Sequence, residues 1–461
     1  MPTTKLPRNP AAKTLRRHLL LLAVPAALHL LLRNAYGLND LYFVKELGRE
    51  AQAAVSLAVM VQILLSALFE GLGLGLLSLS GRVHGAGESR RARSILKVAL
   101  ISALVLAAFV AILGLSMLSE YVHFLVPTPA GGASDTLRLA GERAALSEYL
   151  RPLFAGAFFL CLSTLVDSSF VARKNTHTPF QLQILAIGLN FVLNWLLISG
   201  RGPFPALGVA GAAYATVISR ALPSLLGLSL LLHSLPKSGP AETRSPLELV
   251  GKMLRVGSPV AAAIGLYSLV YQIIFATAFS HFGALGRAAF GMGFRLEGLA
   301  FCTIWGLAIS SGSIVSNALG AQNPELAERC VRSSIRYVLL LTLPLALLFL
   351  LAPDFLAAQL ASDPGVRQET VRYLQIIALS QFAVGLQGVY DQSMSSAGYT
   401  LPVFVSTSFW NLLRIPMCKW LALDAGWGLS GIWWAINFSS YGKAICSWLL
   451  FRAGQWKKVE L

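Results

Sequence analysis

Charge is scarce in this sequence, and acid is scarcest. Of 461 residues only 13% are Asp, Glu, Lys or Arg, and the acids number 21. A soluble domain carries about 25% charged residues, so a conventional solvated surface is excluded. The five cysteines (Cys161, Cys302, Cys330, Cys418 and Cys446) form no Cys-x-x-Cys and have no histidine cluster beside them. All five read as free thiols, four in apolar runs and Cys330 in a basic loop, with neither a disulfide framework nor a metal site. No Gly-Lys-Ser/Thr follows a glycine-rich loop, and Gly71-Leu-Gly-Leu-Gly75 lies inside an apolar run. An ATP-driven pump within this chain is therefore disfavoured. Of the seven histidines only His29 lies deep in such a run, which argues against an intramembrane enzyme built on a metal cluster or a Ser/His pair. The short alternating strands of an outer-membrane barrel are missing as well.

What is present is apolar length. The chain is 55% hydrophobic with mean hydropathy +0.65, and runs of about 20 apolar residues recur from end to end. The expectation is an all-α polytopic membrane protein of twelve transmembrane helices: roughly 19–44, 52–80, 95–118, 150–172, 180–199, 208–233, 257–280, 288–316, 336–352, 372–396, 402–422 and 429–451. Residues 119–149 are expected as an amphipathic surface helix. The Pro-rich stretch at the midpoint is expected as a linker. The division is then a terminal segment 1–18, a first lobe 19–233, a linker 234–256, a second lobe 257–452 and a tail 453–461. The basic N-terminus is read as the flank of an uncleaved first span.

Net charge is +16. The basic residues sit between spans, which points to topology rather than to nucleic acid. Twenty-two Lys and Arg fall on the side of the termini and nine on the other, so both termini are expected in the cytoplasm.

Five acids fall within spans: Asp40, Glu70, Asp167, Glu297 and Asp391. A carboxylate at bilayer depth costs about 3 kcal/mol on insertion scales, so each needs a partner or a function. Structural partners are conceivable for each. Arg33 stands on nearly the same helical face as Asp40, about 10 Å away by helical rise. Glu70 could take an intramembrane base, Asp167 could take Arg173, and Glu297 could take Arg295 or Arg287. Six bases also lie in spans, of which Arg33 and Arg414 are deepest, and these could either neutralise acids or receive an anionic substrate. Tyr36, Phe43, Tyr271, Phe301 and Trp305, with Gln272 and the two arginines, are the candidate substrate-binding residues, with simple packing as the alternative.

The halves echo each other. Gly71-Leu72 … Gly85-Ala86 recurs as Gly306-Leu307 … Gly320-Ala321 at a shift of 235 residues. Tyr149-Leu150 … Asp167 recurs as Tyr373-Leu374 … Asp391 at 224, and Gly208 to Gly211 recurs as Gly428 to Gly431 at 220. Six spans per repeat is an even number, so the two lobes run the same way across the bilayer, with a path between them.

Asn39-Asp40-Leu-Tyr-Phe43-Val44 followed by Glu46-Leu47-Gly48, then His84-Gly85-Ala86-Gly87, Asn190-Phe-Val-Leu-Asn194, Gly208-Val-Ala-Gly211, Arg295-Leu-Glu297-Gly298 and Asn411-Leu-Leu-Arg414-Ile-Pro416 stand in one order along the chain. In that order they resemble the multidrug and toxic compound extrusion transporters, and more closely their DinF-like bacterial branch. The Gly-x-x-x-Asp-Arg of the major facilitator type is missing from Gly81 to Gly87. The resemblance implies a two-lobed MATE or MOP-flippase-like fold. It also implies an ion-coupled antiporter that exports small organic compounds or drugs, in a bacterial inner membrane, as a monomer with no cofactor beyond the coupling ion, H+ favoured over Na+. It puts Asp40 in a polar cluster with Asn190, Asn194 and Thr216, and puts further ion-coupling acids at Glu297 and Asp391. Asn194 stands where the family commonly has Asp. The alternative reading is a lipid or lipid-linked flippase of the same superfamily fold.

Overall fold

A computed structural model describes residues 12–126, 133–236, 242, 244–359 and 363–460. The extreme N-terminal segment, the middle of 119–149 and part of the linker lie outside the described residues, as do Lys5, Arg8 and Lys237 of the charge count.

The described chain is a succession of helices: α1 Ala12–Val44, α2 Arg49–Gly85, α3 Ser89–Ser116, α4 Leu118–Leu125, α5 Ala133–Ala155, α6 Ala157–Ala172, α7 His177–Leu197, α8 Gly208–Ser234, α9 Pro246–Thr277, α10 Gly283–Gly320, α11 Pro324–Leu351, α12 Pro353–Ala358, α13 Pro364–Ser396, α14 Thr400–Lys419 and α15 Leu429–Ala453. Eight of these are long and apolar enough to cross a membrane, and α5 with α6 forms one more crossing bent by 54°. With α13, α14 and α15, each of membrane-crossing length, the described chain has twelve long helical segments.

Several helices start well before their apolar runs. Ser245 accepts from the Glu248 amide with Pro246 at the first turn. Asn323 accepts from Leu326 ahead of Pro324, and Asp363 accepts from Val366 ahead of Pro364. A cap residue followed by proline nucleates a helix whatever its hydropathy, so α9 begins inside the expected linker. For the same reason Cys330 is buried within α11 rather than placed in a loop. The expected surface helix at 119–149 is also corrected. Its second half is the first arm of the bent fourth span, with Leu146, Tyr149 and Leu150 fully buried. The bend falls at Gly156, where a Cβ would press on Val217 of α8.

Helices α1 to α8 pack as one lobe and α9 to α15 as the other, and the two meet through α1 with α10, α2 with α9 and α2 with α10. The first helix of each lobe leans on the opposite one. Leu15, Leu19, Leu22 and Ala23 of α1 belong to the second lobe's core. Leu249 and Met253 of α9 belong to the first lobe's core.

Both ends of the described chain lie on one side, since Leu15 and Trp456 share a cluster. The lobes are latched on that side by a contact that the internal repeat duplicates. A Cβ on Gly85 would collide with the Asn317 carbonyl, and one on Gly320 would collide with the Arg82 carbonyl. Ser78 Oγ donates to the Ser396 carbonyl at 2.8 Å, and its mate Ser313 donates to the Val171 carbonyl. Arg82 donates to the Ala397 carbonyl and Asn317 to the Ala172 carbonyl, both at 2.8 Å. The donors and glycines are related by a shift of 235 residues and the carbonyls by 225. Only glycine lets the two backbones approach this closely. Among the described residues, the side-chain hydrogen bonds between lobes include these four and Asn34 to Cys302.

Gly320→Val should cost about 1–3 kcal/mol by overpacking, read as a lower denaturation midpoint in detergent. A Cβ on Gly81 would lie 2.8 Å from Ser316 Cβ, closer than the roughly 3.5–4.5 Å of a disulfide, so a small easing of the two helices brings the pair into range. The pair Gly81→Cys with Ser316→Cys should crosslink under oxidant and stop transport, and reductant should restore it. Free transport in the crosslinked state would rule out separation of these helices during the cycle.

Candidate functional site

Asp40 sits near the C-terminal end of α1, 2% exposed, inside a cage drawn from three other helices. Its Oδ1 accepts from Asn194 Nδ2 at 2.8 Å and Asn190 Nδ2 at 3.4 Å. Its Oδ2 accepts from Tyr149 OH and Thr216 Oγ1, both at 2.9 Å. Asn190 and Asn194 are one turn apart on α7, so both amides reach the same carboxylate. Asn190 also donates to Thr216 Oγ1 at 3.3 Å and accepts from Asn39 at 2.6 Å. Gln62 of α2 donates to Tyr149 OH at 3.1 Å. The Asn194 Oδ1 acceptor is buried without a partner. Four neutral donors around one carboxylate hold the anion without a counter-ion.

Arg33 does not reach Asp40. It pairs with Glu70 of α2, which gives Glu70 its intramembrane base and leaves Arg33 neutralised. Asp167 does not take Arg173, which lies at the end of α6 and bonds Ser234 instead. The partner of Asp167 is His29, Nε2 to Oδ2 at 3.4 Å, while His29 Nδ1 faces the Pro179 carbonyl at 3.2 Å. Beside this pair is a cavity of about 10 Å³ lined by Asp167, Gln183, Arg220 and Ser224, room for a single water. The unpartnered Gln183 Nε2 and Arg220 Nε are the groups such a water would bond.

In the second lobe Glu297 pairs with neither Arg295 nor Arg287. It accepts from Tyr373 OH at 2.6 Å and Gln381 at 3.5 Å. Asp391 accepts from Ser447 at 2.6 Å and Gln387 at 3.0 Å. The two lobes repeat one motif here. Tyr373 is Tyr149 shifted by 224, and Glu297 is Gln62 shifted by 235. A buried tyrosine therefore meets the same α2 or α10 position in each lobe, amide in one and acid in the other. Sequence reasoning noticed Tyr149 and Tyr373 only as repeat landmarks. A repeated tyrosine inside an apolar run needs a partner for its hydroxyl, and that signal could have marked both. Gln62, Asn39, Gln381 and Ser447 carried no signal of their own.

The aromatic candidates divide among separate places. Tyr36 is buried beneath the Arg220 guanidinium, 4.6 Å from its ring centroid. Phe43 packs edge-on against Phe191 at 5.0 Å. Phe301 stacks on Trp305 at 4.6 Å and is partly exposed. Tyr271 accepts from Arg414 at 2.9 Å and packs against Tyr267 and Phe290, while its neighbour Gln272 is exposed.

The MatE family model matches residues 25–196 and 259–420, most of both halves. The chain belongs to the MatE family. This MatE chain is 27% identical over 386 residues to the FAD transporter of Shewanella oneidensis, covering 82% of each. It is 25% identical over 455 residues to the probable multidrug resistance protein NorM of Thermotoga maritima, covering 96% of this chain and 94% of that one. In fold it superposes on a Pyrococcus furiosus MOP superfamily transporter described as having a binding pocket of reverse polarity, at TM-score 0.85, 22% identity and 97% coverage of both chains. It superposes equally on a MATE crystal structure in the bent conformation, at TM-score 0.84, 23% identity and 96% coverage. The two-lobed, twelve-helix architecture is that of the MATE and MOP transporters. MatE proteins are membrane transporters of small organic compounds, not enzymes.

Tyr149→Phe removes a donor to the buried carboxylate and the acceptor for Gln62. It should cost about 1.5–3 kcal/mol, the range for hydrogen bonds to charged groups, measured as a stability loss in detergent. Tyr373→Phe should behave alike through Glu297. A stability change near zero in either variant would mean the tyrosine hydroxyl is solvated rather than bonded.

Proposed function

We propose that this MatE chain is a proton-coupled antiporter that exports small organic compounds by alternating access, with Asp40 as the coupling carboxylate. The observation that carries this reading is the Asp40 cage with its one orphan acceptor. Ionised, Asp40 accepts four hydrogen bonds. Protonated, it gains an O–H that must find an acceptor in a buried site, and the Asn194 amide, whose Oδ1 has no partner, can turn over to present that oxygen to it. Sodium would need several oxygens converging on it, yet two amide N–H groups already point at Asp40 Oδ1. That arrangement favours the proton. Where many relatives place a second acid, Asn194 supplies that acceptor.

The resemblance and the charge asymmetry support a bacterial inner membrane with cytoplasmic termini. The latch then closes the cytoplasmic side, and the lobes part toward the outside. Glu297 and Asp391 are the competing coupling sites. The cargo class is open beyond drugs, since one relative bears the name of an FAD transporter. The coupling ion is the only small inorganic partner in this reading, and a single chain is the working unit.

One observation favours the flippase as second reading. A groove of about 610 Å³ along the start of α1 is lined by Leu20, Leu21 and Val24, with Lys13, Arg16 and Arg17 among its lining residues. An acyl chain under an anionic headgroup would suit it.

Efflux of an organic dye from proteoliposomes under imposed gradients tests the proposal. A pH gradient should drive efflux, a sodium gradient should not, and Asp40→Asn should cut the rate about tenfold or more, the loss of about 1.4 kcal/mol of coupling. If Asp40→Asn retains gradient-driven efflux while Asp391→Asn abolishes it, Asp40 is not the coupling site. Lipid scrambling without dye efflux would favour the flippase.

A further inference from the structure

Two buried cations of the second lobe have no carboxylate against them. Arg414 of α14 is 1% exposed. Its Nε donates to Ser439 Oγ at 2.8 Å and its Nη1 to Tyr271 OH at 2.9 Å, both neutral. Lys443 of α15 is 7% exposed, and its Nζ donates to Asn411 Oδ1 at 3.5 Å. Among the described residues no acid lies within 4.0 Å of either, whereas Arg33 of the first lobe is paired with Glu70. Glu297 and Asp391 act on these cations only at longer range, because their own oxygens are taken up by Tyr373, Gln381, Ser447 and Gln387. An ammonium has three N–H groups, and this one meets a single distant amide oxygen. Buried charges are costly unless paired, so an unmet guanidinium and an unmet ammonium in one lobe mark a place kept for an incoming anion.

The surroundings define the rest of that ligand. Arg414 lies 5.3 Å from the Tyr271 ring centroid. Tyr271 stands edge-on to Tyr267 at 4.9 Å and tilted to Phe294 at 6.3 Å, and Phe294 stacks on Phe290 at 5.3 Å. Tyr267 and Tyr271 ride on α9, the helix that borders the opposite lobe, and both are only half-buried. A flat ring can lie along this aromatic wall while its anionic group reaches the two cations. A cationic ring in the same place would meet two like charges.

We propose that Arg414 and Lys443 form the binding site for the oxyanion, carboxylate or phosphate, of a planar aromatic substrate. The inference rests on the transporter reading, and names its cargo as an organic anion rather than a cation.

The test holds the ring constant and varies the charge. Binding of naphthoate, naphthyl phosphate, neutral naphthamide and cationic naphthylmethylamine to the full chain in nanodiscs is measured by calorimetry, with no gradient. At least one anion should bind about tenfold more tightly than naphthamide, and the cation most weakly. The anion that shows the preference identifies the group. Lys443→Gln and Arg414→Gln should each bring that anion to within about twofold of naphthamide, while Lys443→Arg keeps the preference. Equal binding of anions and naphthamide by the wild type, or tighter binding of the cation, overturns the site whatever the variants do. The two proposals fail separately. An anion that binds with this preference but is not moved by a pH gradient retires proton-coupled export and leaves the site standing. A cation driven by the gradient with no anion preference retires the site and leaves export standing.

Discussion

Charge inside a hydrocarbon layer must be answered by the protein, since neither water nor lipid tails will answer it. That constraint organises this molecule more than any single packing contact does. Asp40 is answered by four neutral donors from α5, α7 and α8. Glu70 is answered by Arg33 and Asp167 by His29. Each answer ties together helices that are distant in sequence, so the polar groups act as rivets through an otherwise non-directional apolar core. The different kinds of answer also carry different meanings. An ion pair such as Arg33–Glu70 is complete. A carboxylate ringed by donors can accept a proton, and an unmet cation can accept an anion.

The internal repeat turns one solution into two. The same glycine and the same polar position build the latch from both sides, Gly85 against Asn317 and Gly320 against Arg82. The first helix of each lobe leans on the other. Where glycines meet backbone carbonyls the seam has little side-chain bulk to disentangle, which suits an interface that must separate and re-form. Where the repeat is broken, function has room to differ. Gln62 faces Tyr149 in one lobe, but Glu297 faces Tyr373 in the other, and the first lobe keeps its carboxylate on α1 instead.

Much of this was legible along the chain. Apolar length specified the spans, and spaced repeats specified two lobes of like orientation. The cluster of Asp40 with Asn190, Asn194 and Thr216 came from the motif order rather than from periodicity. Helix starts were read late wherever a Ser-Pro, Asn-Pro or Asp-Pro cap lay ahead of the apolar run, as at Pro246, Pro324 and Pro364. Hydropathy reports burial in the membrane, whereas a cap reports where the backbone begins to turn.

Partner choice was what the linear chain left open. Arg33 had Asp40 and Glu70 within plausible reach, and Asp167 had Arg173 nearby in sequence and His29 far away. Which pair forms depends on how α1, α2 and α6 rotate against one another, and that rotation is set by apolar packing that no acidic or basic residue announces. The sequence by itself determined that this chain spans a membrane twelve times in two repeated lobes and that a few acids must be met inside. Only the tertiary structure decided which donors meet them, and that Arg414 and Lys443 are met by no acid, because pairing in a low-dielectric interior depends on distances of a few ångströms between helices that the chain order does not specify.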